Sequence, residues 1–324
     1  MRLILTLVIV LLACLVPGQA KALPVFAHRY GLTCQACHTT VPHLNAFGEA
    51  FLRNGFRLPR PHRGALPIAM KVNLAYTSDP DASGLPKAIV DEVELLTGGA
   101  IGDRVNYFVE QYAIDGGMPG RPRDAWIQYN RNAVHVRAGE FTLPLPVDPE
   151  TERDTQAHYL VYDQTVGENP FDFFDPRVGV ELYSEASNGD GLHLALLERG
   201  QEMALAAKSF GDLTLYAYRY QGSAFFRQAL GARQRIGKFD LAGVLQRGKD
   251  ADADSSGGFV EGHYTFSPSL MAVARYDRIR DSLGGAQQQT ILSLVTRPAR
   301  NMRFTLEDQI TDHHTLNMAL LFAY

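Results

Sequence analysis

The sequence predicts an all-β transmembrane barrel of about 16 antiparallel strands, preceded by a small α-helical segment at the N-terminus. Three observations lead there. From residue 65 to 324, apolar and polar residues alternate with period two in one stretch after another. Turn residues punctuate these stretches, as at Gly102-Asp103, Asn130-Arg131-Asn132, Gly211-Asp212, Gly237-Lys238 and Ser267-Pro268-Ser269. No apolar run after residue 22 reaches the roughly 20 residues a membrane helix needs, whereas a barrel strand needs only about 10.

The chain of 324 residues carries a formal net charge of −4, so no basic surplus points to nucleic acid. It begins as a signal peptide does: Arg2, an apolar run from Leu3 to Val16, then Ala20-Lys21-Ala22 as a small-x-small cleavage site. Residues 1–22 are therefore expected to be removed. Cys14 lies inside that apolar run. A lipid anchor there is the competing reading, and Leu12 fits it poorly.

Residues 23–64 form the second unit. Cys34-Gln35-Ala36-Cys37-His38 is a Cys-x-x-Cys-His motif, the attachment signature for c-type haem. Each thiol can add to a haem vinyl group, and His38 can reach the iron as proximal ligand. A redox disulfide would want a βαβ surrounding, which is absent. A zinc site would want more ligands, and no cysteine besides Cys34 and Cys37 follows the cleavage site. For the distal iron position His28 and His62 are candidates, and Met70 opens the next segment. His43 stands too close to His38 to reach the opposite face. A helix is expected to start at Thr40-Val41-Pro42, with Leu44, Phe47 and Phe51 on one face, and to end at Asn54-Gly55. That face could cover a porphyrin or pack on the barrel wall. A unit of about 40 residues is too small for a core of its own.

The barrel occupies residues 65–324. Met70, Val72, Leu74 and Tyr76 begin it, and Leu316, Met318, Leu320, Phe322 and the terminal Tyr324 close it. Connections are expected to alternate between short and long, with Ser78–Lys87, Asp115–Arg121, Thr142–Pro176, Lys249–Gly257 and Arg280–Ala286 on the outer side. His135 and Arg137, and Glu261 and His263, alternate against apolar neighbours and should face the lumen. The longest connection carries Asp148, Glu150, Glu152 and Asp154, and Asp250, Asp252 and Asp254 alternate in another. Carboxylates suit hard divalent ions, although such runs more often only solvate a loop. The aromatic stretch Asn169–Asp175 could fold inward and constrict the pore.

The motif at Cys34–His38, the stretch Pro42–Phe51 and Asn54-Gly55-Phe56 together resemble the fused monohaem cytochrome–porins of the bacterial outer membrane. The best-known members oxidise ferrous iron at the cell surface. The resemblance implies a haem segment plugging or lining the periplasmic end of a sixteen-stranded barrel. It carries Cys34, Cys37 and His38 across residue by residue, and over the barrel it is architectural. The expected cofactor is one covalently bound haem c. The expected partners are the lipid outer membrane, an extracellular electron donor with ferrous iron as candidate, and a periplasmic carrier of cytochrome c or cupredoxin type. The alternative is a passive porin whose haem is structural or senses a ligand.

Overall fold

The computed structural model describes residues 25–39, 43–54, 56–58, 68–80, 86–147, 149, 152–163, 173–283, 285–299 and 301–323. The expected signal peptide lies outside these. The strands are β1 (Ile68–Pro80), β2 (Pro86–Ile101), β3 (Val105–Asp115), β4 (Met118–Pro119), β5 (Pro122–Arg131), β6 (Val134–Phe141), β7 (Arg177–Glu185), β8 (Gly191–Leu197), β9 (Gln201–Phe210), β10 (Leu213–Gln221), β11 (Phe225–Ile236), β12 (Phe239–Asp250), β13 (Ala253–Ser267), β14 (Leu270–Asp281), β15 (Gly285–Thr296), β16 (Met302–Ile310) and β17 (His314–Ala323). β4 is a two-residue extension paired only with the end of β3. The other sixteen pair antiparallel in chain order, and β1 pairs with β17, Lys71 opposite Ala323, to close the cylinder. Closure leaves no sheet edge with unpaired backbone groups, a condition for crossing lipid.

Period-two alternation sets the two faces. On β7 and β8, Val178, Val180, Leu182, Leu192, Leu194 and Leu196 are exposed outward, while Glu181, Tyr183, His193 and Ala195 are buried inward. On β13, Val260 faces out, while Phe259, Glu261 and His263 face in. An apolar outside and a polar lumen is what a lipid-embedded barrel requires. His135 is likewise buried, and Arg137 lies over the Trp126 and Tyr183 rings at 4.7 and 5.2 Å.

The expected alternation of loop lengths does not hold. Connections at the end away from the chain termini are nearly all short, and residues 142–176 make the one long crossing. The expected acidic loop Lys249–Gly257 is a two-residue hairpin, because the β12–β13 ladder runs on to Asp250 opposite Ala253. Asp250 turns inward and is neutralised by Arg227 at 2.6 Å. Strand alternation thus overrides the loop-like look of a run of aspartates.

The long connection turns into the lumen. Phe141, Leu143, Tyr159, Val161, Tyr162 and Phe173 are all but fully buried there and share one apolar cluster with wall residues such as Met203, Tyr218, Tyr220, Phe259 and Ile279. Each such side chain contributes roughly 1.5–3 kcal/mol by leaving water. Tyr162 meets Phe173 edge-on at 5.8 Å, and Phe173 meets Tyr220 at 5.7 Å. Of the aromatic stretch, Phe173 and Phe174 are buried in this cluster; residues 164–172 of the connection lie outside the described set.

Wall side chains satisfy the inserted backbone. Arg275 has no side-chain exposure; it donates to the carbonyls of Ala157 and His158 at 2.8 and 2.9 Å and to Thr155 Oγ1 at 2.8 Å. Glu307 accepts from the amides of Gln156 and Ala157 at 2.8 and 2.9 Å. Gln289 and Gln246 donate to the carbonyls of His158 and Val161 at 2.8 and 2.7 Å. Buried backbone groups without such partners would be costly. Replacing Arg275 by alanine takes the guanidinium from the buried Asp277 (2.7 Å) and one of several partners from Glu261 (3.4 Å). Arg275→Ala is expected to cost about 3–5 kcal/mol in denaturant-induced unfolding of the detergent-folded barrel.

Candidate functional site

The Cys-x-x-Cys of the Cys34–His38 motif sits on a single helical turn, Cys34–Cys37. Three-residue spacing brings both thiols to one side of it. Neither forms a disulfide; Cys34 is buried and Cys37 half-buried. Burial pushes both thiols up, and at Cys37 the neighbouring Cys34 adds to the rise. His38 follows in extended conformation and bridges to Leu44.

The helix expected from Thr40-Val41-Pro42 begins later, at Ala46, and runs to Arg53. Residues 40–42 lie outside the described set. The N-cap is Asn45, whose Oδ1 accepts from the Gly48 amide at 3.0 Å. The same side chain donates through Nδ2 to the carbonyls of Gln35 and Ala36 at 3.2 and 3.1 Å. Asn45 thus caps one helix and holds the Cys-x-x-Cys turn against it. The helix ends on Asn54 as C-cap, as expected. The left-handed residue that follows is Phe56, at φ 60°, with its amide donating to Phe51 O at 3.0 Å.

The apolar positions of this segment split. Phe51 is buried, while Phe47 is 42% and Leu52 38% exposed. Phe26, Tyr30, Phe51 and Phe56 cluster, with Phe26 stacked on Phe56 at 4.4 Å. Phe56 then lies against Trp126 of β5 at 5.9 Å and Phe108 of β3 at 6.0 Å. The segment takes its core from the barrel wall. Polar ties finish the seat: Arg57 donates to Val105 O at 2.9 Å, and Arg235 pairs with Glu49 at 2.6 Å. The residues present fit a c-type haem. They offer two free thiols on one turn, an adjacent imidazole, and exposed apolar side chains on the neighbouring helix. Of the distal candidates, His62 and the side chain of His28 lie outside the described residues. Met70 is on β1, opposite Leu95 of β2.

His43 has another engagement. It is buried, with Nδ1 at 3.0 Å from Asp154 Oδ2 and at 3.2 Å from Glu152 O. Its Nε2 faces Arg233 Nη2 at 3.2 Å and Asp240 Oδ2 at 3.9 Å. Across from it, His263 of β13 places Nδ1 at 3.5 Å from the same Asp154 oxygen and Nε2 at 2.7 Å from Glu261 Oε1. Tyr159 donates to Glu261 at 3.0 Å. Arg233 also pairs with Glu152 and, at 2.7 Å, with Asp240. Glu152 and Asp154 are therefore not a solvated acidic run; they have entered the lumen beside the N-terminal segment. Asp148 and Glu150 lie outside the described residues. The lumen-facing reading of Glu261 and His263 was open to sequence analysis. Their meeting with His43 and Asp154 was not, because the three come from distant parts of the chain.

No protein-family model matches this chain, and no characterised protein matches it in sequence. Solved structures share its fold. The anion-selective porin from Comamonas acidovorans superposes with a TM-score of 0.62 at 13% identity, over 79% of this chain and 98% of that one. Salmonella typhi OmpF, in a complex with daunomycin, gives 0.61 at 11% identity, over 79% and 97%. A loop L8 deletion mutant of OmpT, an outer membrane protein of Vibrio cholerae, gives 0.58 at 13% identity, over 79% and 98%. The chain thus has the fold of the sixteen-stranded porins. At these identities the likeness is one of fold alone, and it stops at the barrel.

Gly48 is where the segment is tightest. A Cβ there would lie 2.1 Å from Cys37 O and 2.9 Å from Leu44 Cδ2. Gly48→Ala is expected to push the Cys-x-x-Cys turn off its helix and reduce covalent haem per chain several-fold. Haem staining against protein measures this, while an unchanged heat-dependent shift in gel mobility reports that the barrel still closes.

Proposed function

We propose that this chain is an outer-membrane electron-transfer cytochrome, moving electrons between an extracellular donor and a periplasmic carrier. The observation that carries the reading is the Cys34–His38 motif on a segment seated against the inner wall of a closed barrel. Cys34 and Cys37 would hold haem c through thioethers, and His38 would ligate its iron. When bound, the group supplies one-electron exchange without proton transfer. The chain's own residues do the rest. Phe26, Phe51 and Phe56 fasten the segment to the wall. The apolar loop cluster narrows the route by which ions could leak through the lumen.

Ferrous iron is the leading donor, supported by the resemblance to the cytochrome–porins. The acceptor fits the class of small periplasmic cytochromes c or cupredoxins. A second reading is a passive porin with a structural or ligand-sensing haem, favoured by the fold shared with porins. The packed loop 142–176 weighs against free passage. The state of the iron separates the two: six-coordinate low-spin iron goes with electron transfer, and gas binding at an open sixth position goes with sensing.

The exported chain, made in a cell competent for cytochrome maturation, is expected to gain the mass of one haem and to lose it on Cys34→Ala with Cys37→Ala. Stopped-flow mixing with ferrous iron should then reduce the haem of the detergent-solubilised protein. Reduction by other donors but not by ferrous iron would remove iron as substrate. A chain without any haem mass would remove the whole reading.

A further inference from the structure

We propose that His43, Asp154 and His263 form a binding site for a first-row transition-metal dication, separate from the haem iron. One donor atom from each lies within 4.8 Å of the others, and all three residues are buried. The haem segment supplies the first, the inserted loop the second and β13 the third.

The orientation of His263 is the independent sign. Its side chain is only 6% exposed, and Nε2 is held by Glu261 at 2.7 Å. That bond puts a proton on Nε2, and Nδ1 faces Asp154 Oδ2 at 3.5 Å. Nδ1 is the one buried histidine nitrogen among the described residues without a hydrogen-bond partner. Leaving such a group unsatisfied typically costs about 1–3 kcal/mol, which a bound cation would remove. A carboxylate orienting the far nitrogen of a histidine is the usual support behind a metal ligand. Here Glu261 is itself fixed by Tyr159 and Arg275. On the far side of His43, Nε2 has Arg233 Nη2 at 3.2 Å and the Asp240 carboxylate at 3.9 Å.

Distances and donor types choose the ion. Asp154 Oδ2 stands 3.0 and 3.5 Å from the two Nδ1 atoms. Ligands about 2.0–2.1 Å from a tetrahedral ion lie roughly 3.3–3.5 Å apart; the two carboxylate distances already lie near that, while the two imidazole nitrogens, within 4.8 Å of each other, must draw together to close the set. Two imidazoles with one carboxylate suit zinc, cobalt, nickel or ferrous iron, whereas magnesium and calcium want oxygen throughout. Three protein ligands leave a position for an exchangeable one.

Nearby cations oppose the site less than their number suggests. Arg233 is paired by Glu152 and Asp240, and Arg275 by Asp277. Arg303 lies on the other carboxylate oxygen of Asp154, at 3.8 Å. On binding, the ring proton of His43 moves from Nδ1 to Nε2, which then faces Asp240 as a donor instead of accepting from Arg233. The ion then ties haem segment, loop and wall at one point. The proposal does not rest on electron transfer, since binding is read without any redox step.

The test is equilibrium dialysis of the tag-free exported chain, folded in detergent, against Zn²⁺ and separately Co²⁺, with metal counted per chain. One ion per chain is expected. His263→Gln keeps a donor for Glu261 but removes Nδ1, and Asp154→Asn removes the shared carboxylate; each should weaken binding about 100-fold or more. Glu261→Gln should weaken it about 10–100-fold, the usual cost of losing a supporting partner. Asp254→Asn, on the exposed hairpin side, should leave it unchanged. A folded wild-type chain that takes up no stoichiometric ion, or uptake that survives both His263→Gln and Asp154→Asn, overturns the proposal and leaves an ion-paired bridge.

Discussion

A fully buried guanidinium governs the inside of this barrel. Arg275 is compensated by Asp277 and Glu261 and spends its remaining donors on loop carbonyls. Removing a polypeptide segment from water is tolerable only when its amides and carbonyls find partners. Arg275, Glu307, Gln289 and Gln246 provide them in a row from β12 to β16. Only with that condition met can Tyr159, Tyr162 and Phe173 gain from apolar packing in the same space. The loop therefore enters as a unit, with polar anchors at one part and an aromatic cluster at the other.

The N-terminal segment that carries Cys34, Cys37 and His38 depends on the same wall. It is too short to bury a core alone, and its aromatic residues complete theirs with Phe108 and Trp126. Its polar contacts with Val105, Arg235 and Asp154 lie at the barrel end that carries the turns 102–104 and 237–238. His43 joins the segment directly to the tip of the inserted loop. Loop and segment, which the chain separates by about a hundred residues, thus brace each other, with hydrogen bonds spanning 109 and 111 positions.

Much of this was legible because its signals are local. Strand alternation, turn residues and the Cys-x-x-Cys-His spacing are properties of neighbouring residues, and a strand's two faces follow from a repeat of two. Lumen positions such as His135, Glu261 and His263 could be read that way. Errors arose where neighbours misled. The aspartates around position 252 look like a loop but continue a ladder. Thr40 looks like a helix cap, yet the cap is Asn45, which reaches both the helix amide and the carbonyls of the preceding turn.

The sequence by itself determined the closed alternating wall and the two thiols with their histidine, since each is written in residues adjacent along the chain. Tertiary structure alone decided which acids leave water, where the long loop ends, and that His43, Asp154 and His263 meet. Those outcomes turn on whether distant side chains can satisfy one another in a confined, low-dielectric space, and no local pattern records that.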